Sequence, residues 1–239
     1  MQFLGIKIDE ITKENALQKV AEFLRGGQHK IFTPNPEMVV KAQEDEYFKN
    51  ILNLGDLNLC DGMGIQIFTG IKRIPGVDFM MDVCALAAEQ GKGIYLLGSG
   101  SDEVVGGAFE ELEKKYPNLK ISGYNKGPEI DERSVCKFDG PIFDQISQSG
   151  AQILFVAFGM GKQEKWIYEN LHKIPNVKIA MGVGGAFDFI SGKVKRAPLF
   201  LRRLGLEWVY RLVQEPRRIG RIFNATAKFT YLVLKSKIV

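Results

Sequence analysis

Asp61 closes a short apolar run, Leu57 to Cys60, and is followed at once by Gly62-Met-Gly64. A carboxylate at a strand end beside a glycine turn is placed to take a proton from a substrate hydroxyl, once burial or a neighbour tunes its pKa. It is equally suited to capping the helix that follows. Thr33-Pro-Asn-Pro-Glu37 poses the same choice. Its two prolines fix an extended turn, and Thr33 and Asn35 either bond a substrate or satisfy the backbone of a helix starting near Glu37. Gln163, in the first helical turn after Gly159-Met-Gly161, is a third polar side chain divided between ligand and cap. Near the C-terminus Arg211, Arg218 and Arg221 are spaced by seven and three residues, so a continuous helix would bring them onto one face. Clustered guanidinium groups suit a diphosphate. The alternatives are a solvated basic face or attraction to anionic lipid, and Pro216 interrupts the helix on which the alignment depends.

Four strand ends carry a Gly-x-Gly turn: Gly62-Met-Gly64, Gly98-Ser-Gly100, Gly159-Met-Gly161 and Gly182-Val-Gly184. In a parallel sheet such turns gather at the carboxyl edge, where small residues let a ligand approach the backbone. The dinucleotide fingerprint demands a third glycine three positions on, and positions 67, 103, 164 and 187 hold Ile, Glu, Glu and Phe instead. No P-loop, Ser-His-Asp order, G-x-S-x-G, H-E-x-x-H or Asp-x-Asp pair occurs, so no metal or cofactor is expected. His29 and His172 lack neighbours at metal-ligand spacing and read as packing or solvated residues.

The elements that must position these residues alternate between β-branched runs and amphipathic helical segments, the pattern of an α/β fold with a mostly parallel sheet. Strands are expected at Gly5 to Ile8, Lys30 to Thr33, Leu57 to Cys60, Gly93 to Leu97, Lys120 to Ser122, Ala151 to Phe158 and Lys178 to Met181, seven in one sheet. Thr12 is placed to cap one helix and Asp102 to start another. From Lys193 onward there are twelve Lys/Arg against two acids, whereas the preceding 192 residues carry twenty against twenty-six. We therefore divide the chain into a Rossmann-like body, residues 1–192, and a basic helical appendage, residues 193–239, broken by Gly205 and Pro216. Such a tail points to diphosphate, lipid head groups or nucleic acid. Three cysteines, Cys60, Cys84 and Cys136, are odd in number, widely spaced and without a C-x-x-C pair, which argues for a reducing compartment, and no uncharged run approaches the roughly 18 residues of a membrane span. A cytoplasmic protein is expected.

Several blocks together resemble the WecG/TagA/CpsF family of bacterial glycosyltransferases (family 26). They are Thr33 to Glu37, Asp61 to Ile65, Gly76 to Asp78, Gly161 to Trp166, Met181 to Asp188, Gly192 to Pro198, Gly205 to Arg211 and Glu215 to Arg218. The branch that serves Gram-positive teichoic-acid synthesis is the most similar. The resemblance implies inverting, metal-independent transfer of N-acetylmannosamine from a UDP-sugar donor to undecaprenyl-diphosphate-linked N-acetylglucosamine. It makes Asp61 the base and Arg211, Arg218 and Arg221 the catalytic arginines. Thr33, Asn35, Gly62, Arg73, Asp78, Gln163, Gly184, Gly185 and Asp188 become substrate-binding residues. The connection from Gly64 to Arg73 is shorter than the family pattern, which shortens the lid over the acceptor side. The partners implied are the two substrates and an anionic membrane surface met by the tail, with peripheral attachment to the inner face of the cell membrane and no nucleic acid. A homo-oligomer is compatible with this arrangement. The competing readings are a relative using another UDP-hexose, a nucleotide-binding oxidoreductase, and a non-enzymatic binder that uses the tail alone.

Overall fold

The structure, a computed structural model, describes residues 1–128, 130 and 140–236. Cys136 and Lys237 lie outside the described residues. The chain begins with two short antiparallel strands, β1 (Gln2–Phe3) and β2 (Ile6–Lys7). The main sheet follows, built from β3 (His29–Phe32), β4 (Leu57–Asn58), β5 (Ile94–Gly98), β6 (Ile121–Asn125), β7 (Ile153–Ala157) and β8 (Ile179–Gly182). Its order is β4-β3-β8-β7-β5-β6 and every pairing is parallel. Among the described residues the sheet therefore has six strands, not seven. Leu4 (φ 48°) and Gly5 (φ 76°) both turn left-handed, which folds the first expected strand back on Gln2–Phe3 as a hairpin.

Alternation along the strands divides the core between two helical layers. Phe32, Leu97, Leu154, Val156 and Ala180 face one layer, while Ile31, Leu96, Ile153, Phe155 and Met181 face the other. The first layer holds the helices Pro36–Ala42, Glu46–Asn53, Gly140–Ser149 and Lys162–Asn170; the second holds Lys13–Phe23, Gly76–Glu89, Asp102–Lys115 and Ala186–Ile190. Thr12 caps its helix as expected, its hydroxyl accepting the Asn15 N–H at 3.2 Å. Both faces are buried, and the result is a Rossmann-like sheet flanked by helices.

The tail runs through the helices Leu199–Arg203 and Glu207–Gln214, a tight turn at Pro216–Arg218, the helix Ile219–Phe223, a π-helical turn at Asn224–Lys228 and a last helix, Phe229–Ser236. Glu215 leaves helical geometry (φ −128°, ψ 74°), so Arg211 and Arg218 do not share one continuous helix. The tail docks on the first layer through Phe229 and Val233, which are almost fully buried there. The Phe229 ring lies 5.9 Å from that of Phe3 and 6.0 Å from that of Phe68. Truncating such a ring costs about 3–5 kcal/mol. Phe229→Ala should therefore accelerate amide hydrogen exchange across residues 219–236 by at least about a hundredfold while β7 keeps its protection. Unchanged exchange in the tail would mean that its docking does not depend on this ring.

Candidate active site

The carboxyl ends of β3, β4, β5, β7 and β8 open into one cavity of about 1240 Å³, to whose wall the tail also contributes. Thr33, Asn35, Asp61, Gly62, Arg73, Gln163, Gly184, Gly185, Asp188, Arg211 and Arg221 all line it. Asp78 does not, and for Arg218 the structure describes only the backbone, in the turn at Pro216–Arg218. Ligands of open α/β sheets bind at this edge because strand-end backbone and helix N-termini converge there.

Asp61 is fixed by its own N–H, which donates to the Pro34 carbonyl at 3.0 Å. The next helix, Met63–Thr69, starts at Gly62 without any side-chain cap. The Asp61 carboxylate instead accepts the N–H of Gly76, the first residue of another helix. Gly76 permits that approach, since a Cβ there would lie 3.1 Å from Asp61 Oδ2 and 3.2 Å from Thr33 Oγ1. Burial pushes the Asp61 pKa up to about 7. The Gly76 N–H and the Arg73 charge pull it back, and the nearby carboxylates of Glu207 and Asp78 push it higher. A carboxyl group poised near neutrality is able to accept a proton and is only weakly committed to either charge state.

Asn35 spends its side-chain oxygen on the Met38 N–H at 3.0 Å, capping Pro36–Ala42 while still lining the cavity. Gln163 binds the glycine-rich turn instead. Its Oε1 accepts the Gly184 N–H at 2.9 Å, and its Nε2 donates to Glu164 Oε1 at 2.7 Å. Glu164 Oε2 in turn accepts the Gly161 N–H at 2.7 Å, so one buried carboxylate ties together the turns after β7 and β8. Burial raises the Glu164 pKa, against the pull of those donors. Sequence reasoning passed over Glu164, although a Glu three residues after Gly161 has the spacing of a capping box.

The tail arginines enter from two separate helices. The Arg211 guanidinium lies over the Phe189 ring, 4.8 Å from its centroid, and its Nε donates to Glu215 Oε2 at 2.8 Å. It also passes close to Gly185, where a Cβ would be 3.1 Å from Nη2. Arg221 holds both oxygens of Glu37, at 2.7 and 3.0 Å. Asp78 serves to fasten the tail: its carboxylate pairs with Arg196 and, at 3.5 Å, with Arg202. Arg196 also pairs with Glu207 at 3.1 Å, and Arg73 Nη2 donates to the Arg202 carbonyl at 2.8 Å. Arg196, Glu207 and Glu37 are further cavity residues. All three fall inside sequence blocks already singled out, but the role of Glu37 depends on a partner 184 positions away. Among the described residues, no three His, Cys, Asp or Glu side chains are grouped as metal ligands.

The Gln163 amide stabilises Glu164 in its charged form. Gln163→Leu should therefore destabilise the fold by about 2–3 kcal/mol, by leaving a buried carboxylate and the Gly184 N–H short of partners. The loss should be greater at a higher pH than at a lower one within the range where the protein stays folded, because the Gln163 amide favours the ionised form of Glu164. Thermal unfolding at the two pH values checks this, and an equal loss at both would separate the amide from the charge on Glu164.

The profile of the glycosyl transferase WecG/TagA/CpsF family matches residues 1–239. A Bacillus subtilis (strain 168) protein, N-acetylglucosaminyldiphosphoundecaprenol N-acetyl-beta-D-mannosaminyltransferase, is 35% identical over 96% of this chain and 86% of its own length. Proteins of the same name from Bacillus spizizenii and Staphylococcus aureus (strain MW2) are 33% and 28% identical, over 86% and 99% of this chain and 78% and 93% of their own lengths. Among the described residues no helix is long and apolar enough to cross a membrane. With a parallel α/β sheet, a cavity at its carboxyl edge and a match along its whole length, the chain belongs to the WecG/TagA/CpsF family of glycosyltransferases.

Proposed function

We propose that this protein transfers N-acetylmannosamine from UDP-N-acetylmannosamine to undecaprenyl-diphosphate-linked N-acetylglucosamine, with inversion, in the synthesis of teichoic acid or a related envelope polymer. The observation that carries the reading is the placement of one neutral-range carboxyl group, Asp61, in the same cavity as Arg211 and Arg221. The names of the relatives supply the sugar and the acceptor. They lend no support to an oxidoreductase.

The Asp61 carboxylate takes the proton of the acceptor hydroxyl as that oxygen bonds to the anomeric carbon. The bond from this carbon to the diphosphate breaks on the opposite side, and UDP leaves with the electron pair. A single displacement inverts the centre. Negative charge then grows on the diphosphate, and preorganised guanidinium donors are worth most where water is scarce. Arg211 and Arg221 are the donors at hand, with Arg218 proposed as a third. Their present partners, Glu215 and Glu37, are carboxylates whose place a diphosphate takes. The turn Gly184-Gly185, Asp188, Thr33, Asn35 and Gln163 receive the donor nucleotide and sugar, while Gly62 and Arg73 shape the space around the base. Asp78 supports the site through the arginines that anchor the tail.

The protein works from the inner face of the cell membrane, held there by the tail. Phe200, Val213, Ile219, Phe223 and Tyr231 are each more than half exposed beside the tail's basic residues, a composition suited to a bilayer interface.

Two experiments test these assignments. Because the base must be deprotonated, kcat/KM should rise with pH and level off above about 7, the value to which Asp61 is pushed. Asp61→Asn should fold normally and lose roughly 10²- to 10⁴-fold in turnover. Near wild-type turnover would remove Asp61 from the chemistry. Second, Arg221→Ala should cut turnover on a soluble acceptor by about 10²-fold or more, with vesicle binding reduced less than about fivefold, the share of one surface charge. Ile219→Ser with Phe223→Ser should do the opposite. If both variants weaken vesicle binding alike and neither slows turnover, the tail is an anchor only.

A further inference from the structure

A cavity of about 1240 Å³ is larger than the roughly 300–1,000 Å³ usual for one small ligand. Its walls also differ in character. The glycine turns and Asp61 form one part. Another is apolar, with Met63, Ile67 and Phe68 of the helix Met63–Thr69 on one side and Ile222, Ala225 and Phe229 of the tail on the other. The two sides touch at the bottom: the Phe68 and Phe229 rings are 6.0 Å apart, and a Cβ on Gly64 would lie 3.0 Å from Phe229. Ile67, at the open end, is 68% exposed. Arg221, whose guanidinium lines the same cavity, immediately precedes Ile222.

A cation at the head of an apolar strip is complementary to a diphosphate followed by hydrocarbon. We infer that this groove holds the first isoprene units of the lipid-diphosphate acceptor, with Arg221 standing between the acceptor's diphosphate and that of the departing UDP, and the chain leaving past Ile67. The inference rests on the transferase reading above and adds a subsite to it. Prenyl carbon fits because Met63, Ile67 and Phe68 face Ile222, Ala225 and Phe229 across the strip, with Thr226 and Thr230 as the polar side chains of the tail wall, and because the relatives' names specify a diphosphoundecaprenol-linked sugar. The short helix Met63–Thr69 is thus more than a lid, since one of its faces selects the lipid.

The groove makes a prediction that bulk membrane attraction does not. With soluble N-acetylglucosaminyl-diphosphate acceptors bearing a methyl group or one, two, three or four isoprene units, assayed without vesicles and below micelle formation, kcat/KM should rise about tenfold per unit over the first two or three, as buried hydrocarbon is added. It should then level off. Ile67→Asp, at an exposed position that tolerates charge, should lower kcat/KM at least tenfold for the three-unit acceptor. The methyl acceptor should stay within about twofold of wild type, and the KM for the UDP-sugar should not change. Ala225→Leu, which fills the groove without adding charge, should give the same selective loss, and circular dichroism verifies the fold of both. A wild-type rate indifferent to chain length, a rise that never levels off, or equal losses on long and short acceptors would overturn the groove while leaving the transferase reading intact. No transfer to any acceptor would remove both.

Discussion

The site depends on keeping one carboxyl group, Asp61, largely out of water without neutralising it. Charge in such surroundings is expensive, and the surroundings are arranged so that the cost is offset only in part. The Gly76 N–H and the Arg73 guanidinium favour the charged form, while Glu207 and Asp78 oppose it. Each contributor arrives by a separate route. Gly76 comes close because it lacks a side chain, Arg73 is held by the Arg202 carbonyl of the tail, and Glu207 belongs to the tail itself. The body supplies this carboxyl group, and the body and the docked tail together set its protonation.

Docking of the tail therefore also completes the lining of the cavity. Its polar contacts, Arg221 with Glu37, Lys228 with Glu44 and Arg202 with Asp78, involve partly exposed side chains and are each worth no more than about 1 kcal/mol. The buried ring of Phe229 outweighs any one of them. The division of labour follows: apolar burial holds the tail, and the ion pairs fix its register. The pairs of Arg221 with Glu37 and of Arg211 with Glu215 are carboxylate contacts of the kind a phosphate is able to replace.

Much of this was legible in the sequence because local chemistry governs it. Runs of β-branched residues marked the six parallel strands, and Thr12 and Gly205 marked helix ends. The first strand was misassigned to the sheet because Ile6 and Ile8 are as buried as any core strand residue, and only the left-handed turn at Leu4 and Gly5 distinguishes a hairpin. The strand-end glycines and Asp61 were found together, but whether Asp61 capped the next helix could not be read from spacing. That depended on Gly62 starting the helix alone and on Gly76 approaching from 15 positions away. Contacts such as Arg221 with Glu37 and Arg196 with Asp78 span 184 and 118 residues and leave no local trace. Asp78, brought to substrate binding by the family resemblance alone, is not among the residues lining the cavity and pairs with Arg196 and Arg202 of the tail.

The central claim is that Asp61 is held near neutrality in the folded protein, and carboxyl-carbon NMR of the ¹³C-aspartate-labelled full-length chain measures this directly. Titration from pH 4 to 9 should show one aspartate resonance, absent from the Asp61→Asn spectrum, whose midpoint lies at about 7. A midpoint near 4, the ordinary range for aspartate, would contradict the account, because a carboxylate already fully ionised in weak acid gains nothing from the enclosure built around it.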